Sequence, residues 1–105
     1  MQNGSDMPQN LRLEWRPQAR ADLLEIVSYI AEENPDAAQA LKDEIEAKAV
    51  KLPDHPKLYK VSSRVPGMRE LVVGHHYILF YRETPLLVEV LNVIHASRQW
   101  PPKGQ

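Results

Sequence analysis

The feature that most constrains this chain is a change in the spacing of its apolar residues. From Ala19 to Leu52 they recur every three to four positions, whereas beyond Pro53 and Pro56 they come in short runs separated by turn residues. The first spacing belongs to helices with one oily face and the second to strands. Both periods within 105 residues fit one α+β domain in which helices lie on a sheet.

The elements follow from this pattern. Leu11, Leu13 and Trp15 alternate with Arg12 and Glu14, a short strand pattern. Pro17 suits a first helical turn, and Ala19, Leu23, Ile26, Val27 and Ile30 then mark one helical face across residues 18–34. Asn34-Pro35-Asp36 interrupts that helix and starts another, because Asn34 is a capping residue and Pro35 fits the first helical position. The second helix is expected to run to about Leu52, with Ala38, Leu41, Ile45 and Leu52 inward. So short a link implies an antiparallel helix hairpin.

Three strand-like runs follow, at residues 69–73, 76–83 and 86–94, separated by Gly74-His75 and Thr84-Pro85. They predict an antiparallel meander, three- to four-stranded once the first strand joins an edge, with the hairpin on one face. Ile78 and Phe80 point to one side of the middle run, Tyr77, Leu79 and Tyr81 to the other, so both faces need cover. The hairpin hides one; the second is expected to remain partly apolar, available for a cleft or a partner chain. Residues 1–10 read as a flexible leader and 102–105 as a flexible tail around a domain spanning 11–101. No apolar run approaches the roughly 18 residues of a membrane span, so no membrane partner is expected.

Composition narrows the chemistry. There is no cysteine, which removes disulfides, thiolate metal sites and a cysteine nucleophile, and points to the cytoplasm. The formal charge is only −1, but it is polarised: four bases and ten acids up to Ala47 give −6, and nine bases and four acids beyond it give +5. Anion-facing chemistry is therefore expected in the second part, which also holds His55, His75, His76 and His95. No glycine-rich phosphate loop, nucleophilic serine motif or close carboxylate pair is present, which argues against nucleotide kinases and ordinary hydrolases.

Candidate site residues gather near the end of the last run. His95 is suited to proton exchange near neutrality, Arg98 to holding a phosphate and Trp100 to stacking on a base. Each also has a structural reading, His95 as a hydrogen-bonding strand end and Trp100 as a core edge. His75 and His76 alternate across a strand unless Gly74 breaks the pleat, and no recognised zinc spacing links the four histidines. Arg69 and Arg82 place cations on neighbouring strands, with Lys57, Lys60 and Arg64 in the preceding loop; these residues either attract phosphate or guard a sheet edge.

In this order and length, the pattern resembles the RelE/ParE superfamily, the toxic halves of type II toxin–antitoxin pairs. The resemblance covers residues 11–101. It is carried by Trp15 with Ala19, Ala21, Asp22, Leu23 and Ile26, by Tyr29-Ile30, by residues 66–71, by residues 77–82, and by residues 90–95 with Arg98. It implies a helix hairpin on a twisted sheet, a cognate antitoxin that wraps the toxin, a toxin–antitoxin hetero-oligomer and no cofactor.

For the target, the resemblance offers two alternatives. One is metal-independent cleavage of messenger RNA on the ribosome, with His95, His76 and Arg82 catalytic and Arg69, Arg98, Trp100, Tyr77 and His75 holding substrate. The other is ParE-like inhibition of DNA gyrase, with no catalysis by the chain itself. RNA cleavage is the leading expectation, because the histidines, arginines and Trp100 are expected within reach of one sheet edge. One departure weighs against it: Ile78 stands where cleaving relatives often carry an arginine.

Overall fold

A computed structural model describes residues 11–97, so the leader, the tail 102–105, Arg98 and Trp100 lie outside the described residues. The element order is β1 (Arg12–Trp15), α1 (Pro17–Ala31), α2 (Pro35–Ala49), β2 (Arg69–Val73), β3 (Tyr77–Glu83) and β4 (Leu87–His95). Pro17 and Pro35 each open a helix, where the missing N–H costs nothing, and the Asn34 side chain accepts the Ala37 N–H at 3.0 Å. α1 ends at Ala31, short of the expected bound at residue 34, and α2 ends at Ala49, about a turn before its last apolar position, Leu52. The chain tightens into i→i+3 turns there, with Glu33 N–H donating to Ile30 O and Leu52 N–H to Ala49 O, so Leu52 is buried beyond the helix itself.

The sheet order is β1-β4-β3-β2. The meander is as expected, β2–β3 and β3–β4 both antiparallel, while β1 adds to the β4 edge in parallel. That direction puts the end of β1 beside Val90, where Arg16 N–H donates to Val90 O at 2.9 Å and α1 departs to pack back over β4. Ala19, Leu41, Ile45, Ala49 and Leu52 from the hairpin meet Leu71, Val73, Leu79, Tyr81, Val88, Val90 and Val93 from the sheet to form the main core.

The far sheet face differs from the expectation of an open apolar surface. Ile78, Phe80 and Ile94 are buried, with Met68 and Ala96 packed against them. The segment between α2 and β2 is tied back across the molecule: Tyr81 Oη donates to Pro56 O, Glu70 N–H to Lys60 O, and Arg64 Nη2 to Ala96 O. At its centre Ser62 Oγ donates to the buried Glu70 carboxylate at 2.6 Å and accepts the Arg64 and Val65 N–H groups. A proline-bearing loop without periodicity has thus become cover for the sheet.

Candidate functional site

Three imidazoles meet where β4 ends beside the β2–β3 turn. Tyr77 pairs with His95 across the sheet, and Ala96 N–H donates to His76 O at 2.7 Å, so the turn and the strand end are held together. The rings of His76 and His95 lie parallel with centroids 6.0 Å apart; Tyr77 meets His95 edge-on at 5.2 Å, and His75 meets His76 edge-on at 6.4 Å. Positive φ at Gly74 (58°) and His75 (68°) lets this turn close tightly. The Gly74 N–H reaches Glu44 on α2. Glu44 also pairs with Lys48 at 2.9 Å, and the Lys48 hydrogen bond, followed by that of Gly74, holds its carboxyl below the ordinary value.

His95 is hydrogen-bonded to Ser97. Its Nδ1 accepts the Ser97 N–H at 3.1 Å and lies 2.7 Å from Ser97 Oγ. Both contacts engage the same ring nitrogen, which ties the His95 side chain to the backbone two residues on.

The arginines expected beside it are elsewhere. Arg82 lies five residues along β3 from Tyr77, about 17 Å at ~3.3 Å per residue. There its guanidinium grips Glu89 Oε1 through Nε at 3.1 Å and Nη2 at 2.7 Å. Arg69, paired with Tyr81, is at that same far end and donates to Tyr59 O at 2.7 Å. His95, His76, His75 and Tyr77 therefore come together, while Arg69 and Arg82 form no part of the cluster. Among the described residues, Arg64, read only as loop charge, is an arginine that reaches the end of β4, through the Ala96 carbonyl.

Next to His95 a cleft of about 280 Å³ opens between α1 and β4. One wall is a stripe of α1, Asp22, Glu25, Ile26 and Tyr29; the other is Val93, Ile94 and His95 with Tyr77. Asp22 shapes this wall. Beyond Val90 the β4 edge has no β1 partner and Leu91 is passed over in the β3–β4 register, so the Val93 N–H would face an empty edge. Asp22 Oδ2 accepts it at 3.0 Å. Asp22, Glu25 and Tyr29 were not among the expected site residues; their i, i+3, i+7 spacing was the signal that they share a face. Among the described residues, no group of three or more His, Cys, Asp or Glu is placed to hold a metal ion, and no helix is long and apolar enough to cross a membrane.

A two-helix hairpin over a meander, with β1 added in parallel, defines the class: the chain belongs to the RelE/ParE superfamily of type II toxin–antitoxin toxins. Within it, residues 13–100 match the family described as the ParE toxin of the type II toxin–antitoxin system parDE. The chain is 36% identical to the putative toxin Y4kP of Sinorhizobium fredii, over 86% of this chain and 93% of that one. It is 32% identical to the toxin RelE2 of Caulobacter vibrioides, over 80% and 93%. The fold is shared with a chain of the chromosomal ParDE system from P. aeruginosa, at TM-score 0.75 and 20% identity, covering 86% of this chain and all of that one. A YoeB dimer from Staphylococcus aureus is more distant, at TM-score 0.51 and 15% identity over 79% and 93%.

Proposed function

We propose that this chain is the growth-arresting half of a toxin–antitoxin pair, restrained by a cognate antitoxin, and that it acts as a ParE-like inhibitor of DNA gyrase rather than as a ribonuclease. The observation that carries this reading is the separation of the expected groups: Arg69 and Arg82 sit at the opposite end of the sheet from His95, whose Nδ1 contacts Ser97. Cleaving RNA requires a base for the 2′-hydroxyl and cations on the transition-state phosphate. The cleft beside His95 instead presents Asp22 and Glu25, whose carboxylates repel phosphate. Inhibition by recognition needs only a complementary surface. The match to the ParE family supports the same choice.

RNA cleavage keeps one observation in its favour, the meeting of His75, His76, His95 and Tyr77. The antitoxin has an apolar landing place in a second cleft, about 300 Å³, where Trp15, Leu23, Leu24 and Val27 line the hairpin side and Leu24 is 68% exposed. A parallel assay separates the two targets. Purified full-length chain should block gyrase supercoiling of relaxed plasmid and leave messenger RNA on translating ribosomes intact; cut messenger with unimpaired supercoiling refutes the proposal.

A further inference from the structure

We propose that the cleft between α1 and the end of β4 is a socket for an arginine side chain presented by a partner polypeptide. The inference deepens the reading above, resting on its premise that the toxin works through protein surfaces. At about 280 Å³ the cleft has room for one long side chain.

Its chemistry selects that side chain. Asp22 and Glu25 lie on one face of α1, one turn apart, and bring two carboxylates to the wall. Asp22 is held in place, with Oδ2 accepting from Val93 at 3.0 Å and from Asn92 Nδ2 at 3.4 Å and Oδ1 accepting from Gln18 at 2.8 Å, which leaves Oδ1 with a second lone pair. Glu25 has no hydrogen-bond or ion-pair partner among the described residues. Tyr29, 72% exposed, and Tyr77 supply aromatic surface. A planar guanidinium answers all of these features: it bonds carboxylates in a fork and stacks on tyrosine faces while its stem covers Val93. A lysine ammonium matches only the charge, and a phosphate matches none of them.

The test uses the ¹⁵N-labelled full chain at low salt and neutral pH, titrated with Nα-acetyl-argininamide, Nα-acetyl-lysinamide and Nα-acetyl-citrullinamide. The arginine amide should give saturable shifts at Glu25, Tyr29 and Tyr77 and bind about 5-fold or more tighter than either analogue. Glu25→Gln and Tyr29→Ala, both at exposed positions, should each weaken it about 3-fold or more, whereas Glu83→Gln at the far end of the sheet should not. Absence of saturable shifts, equal affinity for the three amides, or indifference to both cleft substitutions overturns the socket. None of these results depends on whether gyrase is inhibited, so the two proposals fail separately.

Discussion

Gly74 shows how much of the site hangs on one residue. Its φ is +58°, and a Cβ there would lie 2.7 Å from Leu41 Cδ1, a side chain packed in the core with little room to move. Left-handed backbone costs an L-residue about 1–2 kcal/mol, and the crowding against Leu41 adds to that. Gly74→Ala should therefore lower stability by about 1–3 kcal/mol, measured by chemical denaturation, and should loosen the His76–His95 stack. An unchanged midpoint would show that the turn is not strained. Gly74 was legible as a break between strands because glycine interrupts an apolar run. Its contact with Leu41 was not, since nothing local indicates which helix lies above a turn. Asp22 is similar: it could be seen in the family pattern, but its task, accepting the Val93 N–H, exists only once a bulge and a strand end meet.

At the scale of elements, period decides most of what forms. The hairpin and the meander follow from three-to-four spacing giving way to alternation, and Asn34-Pro35 fixes where the helices turn. Two things were hidden. The direction of β1 depends on where α1 packs, which a four-residue alternation does not encode. The loop between α2 and β2 has no period, so its burial of Ile78 and Phe80 with Met68 had no local signal. The β2 edge carries a further device: Lys48 Nζ donates to Val72 O at 3.2 Å while Glu44 accepts the Gly74 N–H, so an ion pair on α2 occupies polar groups of an outer strand.

This ion pair has a pH signature. The folded carboxyl of Glu44 is lowered from 4.5, chiefly by the Lys48 hydrogen bond and then by Gly74. A lowered carboxyl gives stability that is present above the unfolded value and lost as pH falls through the folded one. Glu44→Gln should thus melt lower than the parent at pH 7, with the gap closing below about pH 4. A pH-independent gap would assign the loss to packing instead.

At the scale of the whole molecule, sequence and structure agree on polarity but not on its use. The basic second part suggested that imidazoles and guanidiniums share one edge. Pairing separates Arg69 and Arg82 from the imidazoles: β3 carries Tyr77 beside His95 at one end and Arg82 beside Glu89 at the other, with Arg69 opposite Tyr81. The sequence order contains both ends of a strand but not the distance between them, and no composition count reveals that a cation is already paired. Among the described residues, the His95 end holds an acidic, aromatic cleft beside the imidazole cluster.

The central claim is that His95 transfers no proton, and growth arrest by His95→Gln tests it most directly. Glutamine keeps a polar group at the strand end but cannot act as base or acid near neutrality. Induced at matched protein levels and with an unchanged melting temperature, the variant should arrest growth as the parent chain does. Loss of arrest by this correctly folded variant, together with recovery of intact messenger RNA, would contradict the account.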